Sequence, residues 1–454
     1  MKTKNYEMDM TSGSLVKKVI VFAIPLALSS ILQLLFNAAD VIVVGRFAGS
    51  EALAAVGSTG SLINLLTNLF IGLSIGASVL VSKYYAARDQ KSLQESVHTA
   101  ILVALYGGLL LAVVGNILAR LMLEWMGTPE DVIDLATLYL RIYFAGMPAT
   151  MLYNYGSAIL RAVGDTKRPL YYLTIAGALN VVLNLFFVIV CDMSVAGVAL
   201  ATVLSQCVSA ALIILCLIRS QGAVRLERRY LKIHGDRMKE ILQTGLPAGI
   251  QGSVFSISNV LIQSSINSFG SVVMAGSAAA ANIEGFVYVA MNAFYQAAIS
   301  FTGQNVGGQR YERIGKTLLV CEGYVIGVGI LLSTIALTLA TPLLSIYTDD
   351  PTVIQYGITR MHYICATYFI CGMMDTVVGS LRGMGSSFVP MITSLLGACA
   401  FRVIWIFTVF AANRSLETLY VSYPISWALT LTAHLICYHF IRKKYPKRGP
   451  ELTA

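Results

Sequence analysis

Long apolar runs broken by short polar stretches divide the chain into twelve segments, near 15–45, 52–82, 94–123, 131–160, 169–190, 195–218, 239–268, 273–304, 314–346, 352–381, 388–411 and 417–441. A helix needs roughly 20 apolar residues to cross the hydrocarbon core, so each segment predicts one span. The runs are too long for membrane strands and lack strict alternation. Gly, Ser, Ala and Thr recur inside them, as expected of helices packed on helices in lipid. The expected fold is therefore an all-α integral membrane protein with twelve transmembrane helices. The stretch Met1–Ser14 is polar and shows no cleavage site behind a short apolar core, so the first run reads as a span and not as a removed signal.

Composition sharpens this picture. Hydrophobic residues make up 56% and charged residues 12%, about half the charged share of a soluble domain. A disordered chain, a secreted disulfide scaffold and an ordinary soluble enzyme are excluded. The net charge of +9 reads as loop lysine and arginine that set topology. With the N-terminus inside, 26 of the 32 Lys and Arg fall in inside segments, while Glu130, Asp131, Asp349 and Asp350 fall outside. A multi-pass protein of the plasma membrane with both termini cytoplasmic is expected, surrounded by the lipid bilayer and with no nucleic-acid partner. A monomer is expected. The eight cysteines lie in apolar segments or at their edges, with no metal spacing to histidine, so no metal site is expected. No GxxxxGK[ST] loop occurs, and no nucleophile–base pair or cofactor loop suggests an enzyme. Any pumping must therefore draw on an ion gradient, H+ or Na+, with no cofactor.

The second half echoes the first. Pro25, Phe47 and Arg88 recur as Pro247, Phe269 and Arg310 at a shift of 222; Arg161, Gly164 and Pro169 recur as Arg382, Gly385 and Pro390 at a shift of 221. Six spans per half is an even number, so the repeat is parallel. This predicts two pseudo-symmetric six-helix bundles, 1–218 and 239–454, joined by a basic cytoplasmic linker over 219–238.

Five segments carry a family resemblance: PLALSSILQLLFNAADVIVVGRFAG at 25–49, RAVGDTKRP at 161–169, GLP at 245–247, TGQNVGG at 302–308 and SLRGMGSSFVP at 380–390. Together they make the chain resemble the multidrug and toxic compound extrusion (MATE) family of cation-coupled exporters. The resemblance covers essentially the whole chain. It implies two six-helix lobes and alternating-access export of small amphipathic, often cationic organic compounds against inward H+ or Na+.

Asp40 is the first candidate for coupling. It sits in an otherwise apolar run of the first span, and a carboxylate at membrane depth is costly enough to suggest function. Its repeat mate is Ile262, so the shared architecture does not demand an acid there. By resemblance, Asp40 falls on the family's proton-carrying acid of the first helix. Tyr139, Asn180, Asn184 and Thr202 should lie near its depth in the outer half, given the alternating direction of the spans. Such a set can stabilise either protonation state through hydrogen bonds. It resembles the family's proton network, although some members carry a second acid where Asn184 stands. Gln33 and Asn37 extend a polar stripe with Asp40, and Asn64 and Asn68 form another on the second span; both stripes are expected to face a substrate cavity.

The C-terminal half carries Asn259 and Gln263 on the seventh span and the four-residue series Glu284, Tyr288, Asn292 on the eighth, all candidate cavity residues. Asp375 and Arg402 lie within the tenth and eleventh spans. Glu284 either pairs with Arg402 as a structural ion pair or joins Asp375 as a cation site. Sodium-coupled members of the family use an acid resembling Asp375 and a Glu on the seventh helix, where this chain has Gln251 and Phe255. Proton coupling through Asp40 is thus the leading expectation. Na+ coupling through Asp375 and Glu284, and lipid-linked oligosaccharide flipping, are the alternatives. Pro25 is expected to kink the first span.

Overall fold

The structure is a computed structural model that describes residues 6–446 apart from residue 221. Lys2, Lys4, Lys447 and Arg448 of the topology count lie outside the described residues. Among the described residues there is no strand. Twelve helical segments follow one another: α1 Leu15–Phe47, α2 Ser50–Ala86, α3 Gln90–Trp125, α4 Glu130–Ala145 continued by Met147–Ala162, α5 Lys167–Val190 and α6 Ser194–Arg219. After a linker come α7 Gly235–Asn267, α8 Ser271–Gly307, α9 Glu312–Thr338, α10 Pro351–Gly383, α11 Phe388–Phe410 and α12 Leu416–Arg442. Each expected span is present.

Among the described residues, ten segments are individually long and apolar enough to cross a membrane. The two others depart for visible reasons. Gly146 and Pro148 divide α4 into two sixteen-residue pieces. Along α12, Ser422, Ser426, Thr430 and His434 recur every four residues and are all buried, which lowers its hydropathy. His434 Nε2 lies 3.0 Å from Ser394 Oγ of α11. The run expected at 314–346 stops at Thr338, and its tail is a separate turn, Ala340–Leu344.

The repeat is visible in the backbone. Gly49, Arg88 and Gly164 adopt left-handed φ of 90°, 57° and 92°; Gly270, Gln309 and Gly385, each 221 residues later, adopt 98°, 56° and 82°. Backbone conformation thus matches Arg88 to Gln309 and not to Arg310, because one residue, Ala48, is extra between Phe47 and Gly49. At Gly164 the left-handed turn brings the chain against Met8: a Cβ there would lie 2.5 Å from Met8 Cβ, and Met8 N donates to Val163 O at 2.9 Å. Asp165 then caps the start of α5, accepting from Lys167 N at 3.2 Å and Arg168 N at 3.1 Å.

The chain forms two compact units that do not follow the division at 218 and 239. The first comprises the described residues up to Asp9 with Leu28–Ser253; the second comprises Met10–Ala27 with the described residues from Val254 onward. The opening parts of α1 and α7 are therefore exchanged, and the changeovers fall shortly after Pro25 and Pro247, the two prolines inside these helices. In the second unit, Met10 N donates to Gln304 Oε1 at 3.0 Å, and Tyr324 Oη donates to Val16 O at 3.1 Å. Phe22 meets Phe301 edge to face at 5.6 Å.

In the first unit, α7 meets α2 through glycines at four-residue spacing on both helices. A Cβ on Gly72 would lie 2.1 Å from Gly249 N, and one on Gly76 would lie 2.4 Å from Ile241 O. A Cβ on Gly245 would lie 2.6 Å from Leu73 Cα. Such backbone-to-backbone approach is the small-residue packing that lipid-embedded helices favour. Below it, Tyr84 Oη donates to Glu240 at 2.9 Å and Arg237 Nε donates to Glu95 Oε2 at 3.2 Å. Between the spans, Asp89 accepts from Ser92 N at 3.1 Å at the start of α3, and this bonding to Ser92 holds its carboxyl below the usual carboxylate range.

This crossing yields a stability test. Gly249→Leu overpacks a contact that no side-chain rotation relieves, at a cost of about 1–3 kcal/mol. Its thermal midpoint should fall below wild type in detergent. Gly323→Ala, where nothing lies within 4 Å of an added Cβ, should leave the midpoint unchanged. Equal midpoints for the two variants would refute the crossing.

Candidate functional site

Asp40 is placed by a second close approach in the first unit. A Cβ on Gly177 would lie 1.8 Å from Phe36 Cε2, so glycine is what lets α5 come up against α1. Asp40 follows Phe36 by one turn, and Asn184 follows Gly177 by two. The two side chains meet: Asn184 Nδ2 donates to Asp40 Oδ1. The same amide reaches Asn180 Oδ1 at 3.4 Å, and Asn180 Nδ2 reaches Thr202 Oγ1 of α6 at 3.4 Å. Thr202 Oγ1 in turn donates to Val198 O at 3.0 Å. Asn180 and Asn184 are buried, while Asp40 is half-buried. Asn184 Oδ1 is buried and has no hydrogen-bond partner. Just beyond Asn184, α5 widens into a π turn over Phe186–Val190, a local loosening that often accompanies function.

Tyr139 of α4 completes the expected group. Its ring stacks on Tyr143 with centroids 6.1 Å apart, and both tyrosines lie within electrostatic range of Asp40. Tyr143, one turn from Tyr139, is absent from the sequence-derived set; its four-residue spacing was the available signal. The structure thus brings together Asp40, Tyr139, Asn180, Asn184 and Thr202. Gln33, Asn37 and Asn64 are exposed on the first unit and Asn68 is half-buried there; Asn259 and Gln263 are exposed on the second unit, with Gln263 Nε2 donating to Asn267 Oδ1 at 2.8 Å.

The second unit corrects the expectations for Glu284. Arg360 of α10 grips it in a bidentate pair, Nε to Oε1 at 3.0 Å and Nη2 to Oε2 at 2.9 Å, and also donates to Ser277 Oγ at 2.8 Å. Glu284 is buried in this pair, so it neither faces a cavity nor joins Asp375, and it does not pair with Arg402. Tyr288, one turn further along α8, instead donates to Asp375 Oδ2 at 3.2 Å. Asn292 is half-buried on the same helix. Sequence reasoning passed over Arg360 because a pairing depends on the rotation of two helices. It also passed over Glu322 in α9, whose two carboxylate oxygens are buried without a hydrogen-bond partner.

Comparison with known proteins decides the family. The MatE family profile matches residues 25–186 and again 247–408, two stretches that begin 222 residues apart. The chain belongs to the MatE family. As a member it is a multi-pass membrane transporter and not an enzyme. It is 28% identical over 439 residues to a protein named probable multidrug resistance protein YoeA of Bacillus subtilis, covering 94% of each chain. It is 23% identical over 420 residues to a FAD transporter of Shewanella oneidensis, covering 90% of each. Its fold superposes with a TM-score of 0.88 on an outward-facing multidrug resistance MATE family transporter of the MOP superfamily, at 22% identity and covering 98% of this chain and 99% of that one. Such MATE neighbours have the two-lobed fold of twelve helices expected from the sequence. The paired matches also account for the internal repeat of this MatE protein.

The Glu284–Arg360 assignment makes a double-mutant prediction. Glu284→Gln strands a buried guanidinium and should destabilise the protein by about 3–5 kcal/mol. Replacing both residues by methionine removes both charges and should recover most of that loss in thermal unfolding. A double variant as unstable as the single one would refute the structural pair.

Proposed function

We propose that this MatE protein is a secondary active multidrug exporter of the plasma membrane that antiports amphipathic, often cationic organic compounds against inward H+, with Asp40 as proton carrier. The observation that carries the reading is the Asp40–Asn184 contact with Asn184 Oδ1 left open. An amide presents a donor on one side and an acceptor on the other. With Nδ2 turned to Asp40, it stabilises the carboxylate. Turned by half a rotation, Oδ1 accepts from the protonated carboxyl. Asn180 and Thr202 continue the chain of groups that reorient with it, so either state of Asp40 keeps a partner at membrane depth. An acid held in this way binds a proton from the outer side, retains it during the change of access and releases it inside.

Proton coupling is favoured over Na+ coupling because Arg360 holds Glu284 in a bidentate pair while Asp375 accepts from Tyr288, which does not favour the acid pair of the sodium reading. The name of the Bacillus relative supports drug-like cargo. The basic bias of the loops supports cytoplasmic termini. The protein works as a monomer, each chain carrying its own coupling acid.

Reconstituted vesicles test the reading. Export of a fluorescent cationic dye should follow an imposed H+ gradient, ignore a Na+ gradient, and fall to background in Asp40→Asn. Asn184→Ala, which keeps the acid but removes its switching partner, should transport more slowly than wild type. Transport driven by Na+ alone, or intact in Asp40→Asn, would overturn the assignment and move coupling to Asp375. Absence of dye transport under both gradients would favour lipid-linked oligosaccharide cargo.

A further inference from the structure

Arg402 is a buried cation that the coupling scheme does not use. It is 4% exposed, and among the described residues no carboxylate lies within ion-pair distance of it. Its Nε donates to Ser426 Oγ of α12 at 2.9 Å. Its Cζ lies 4.3 Å from the Tyr423 ring centroid and 5.6 Å from that of Trp427. Its Nη2 is buried and has no hydrogen-bond partner. Arginine stays charged in proteins, so this site carries a full positive charge faced by aromatic rings and one serine. A buried charge without a counterion is costly and, where it persists, calls for a function.

The surroundings say what would complete it. Nε and Nη2 form one edge of the guanidinium, the edge that grips a carboxylate in parallel hydrogen bonds. Ser426 occupies Nε, and Nη2 is open. The rings beside it continue as a ladder: Trp427 stacks on Tyr368 at 5.4 Å, and Tyr368 stacks on Tyr288 at 6.1 Å. Tyr288 is the donor to Asp375. Flat aromatic rings thus adjoin the unpartnered donor. The backbone around Arg402 is also irregular. Its single α-turn, Phe401–Trp405, lies between two π turns, Leu395–Ala400 and Ile406–Phe410, and π turns commonly accompany functional sites within helices.

We propose that Arg402, with Ser426, Tyr423 and Trp427, forms a subsite in the second unit for the carboxylate of an aromatic organic anion or zwitterion. This deepens the exporter reading and rests on it: cargo is selected partly by an anionic group, in addition to the cationic character that the coupling scheme assumes. Arg402 is a binding residue and takes no part in proton movement.

Binding to purified protein in detergent tests the subsite apart from transport. Isothermal titration would compare biphenyl-4-carboxylate with biphenyl-4-carboxamide, which has the same rings and no charge. Wild type should bind the acid at least about tenfold more tightly, the equivalent of about 1.4 kcal/mol. Arg402→Gln should lose that preference while still binding the amide, and Arg402→Lys should keep part of it. Trp427 is one of three tryptophans. In a Trp125→Phe, Trp405→Phe background its emission should respond to the acid. Equal wild-type affinity for acid and amide, a preference that survives in Arg402→Gln, or a silent Trp427 would overturn the proposal. Should Arg402→Gln fail to fold, the wild-type comparison and the Trp427 response decide the matter. Failure of H+-driven dye export in vesicles would sink the coupling scheme without touching this binding result.

Discussion

Within a bilayer no water is at hand to satisfy a polar group, so each one must find a partner inside the protein or remain as an exception with a purpose. This constraint sorts the polar residues of the chain. Glu284 and Arg360 satisfy one another with two parallel hydrogen bonds and a third to Ser277. The serines, threonine and histidine along α12 are buried as one polar stripe, and His434 of that stripe reaches Ser394. Asn180, Asn184 and Thr202 satisfy each other in series and end on a backbone carbonyl. Among the described residues, the buried side-chain groups left without a hydrogen-bond partner include the Asn184 Oδ1, the Glu322 carboxylate and the Nη2 of Arg402. The first and last of these lie beside a π turn, where the backbone is already loosened.

The sequence motifs that signal the family hold the chain in place more than they carry chemistry. Gly164 and Gly385 supply left-handed turns at matching points of the two halves. Gln304 and Asn305 of the TGQNVGG stretch are fully buried and bond the backbone of Met10. Gly245, in the GLP stretch, gives α7 its close approach to α2. A substitution at such positions is felt as lost packing, whereas Asp40 and Arg402 stand where packing alone would accept an apolar residue. Their repeat mates, Ile262 and Val181, show that the shared architecture does accept one.

Spans, repeat and the Asp40 group were legible in the sequence because each depends on position along the chain. Apolar run length sets a span, a shift of 221 or 222 sets the repeat, and depth along alternating helices puts Asp40 level with Asn184 and Thr202. Pairings across helices were not legible in the same way. Whether Glu284 meets Arg360, Arg402 or Asp375 turns on helix rotation, and a step of one residue turns a side chain by about 100°. The exchange of Met10–Ala27 and of the opening part of α7 between units was equally hidden. Apolar periodicity marks a helix as continuous and says nothing about which neighbours each half has.

That exchange also divides the candidate polar groups of the chain. Asp40 and its amide partner belong to the first unit, while Asp375, the aromatic ladder and Arg402 belong to the second. The acid of the proposed coupling and the cation of the proposed anion subsite are thus on different units. α1 has residues in both. Its residues from Leu28 onward, Asp40 included, pack in the first unit, and its opening residues through Ala27 pack in the second. Pro25, which removes a backbone hydrogen bond and crowds the preceding turn, sits next to the changeover.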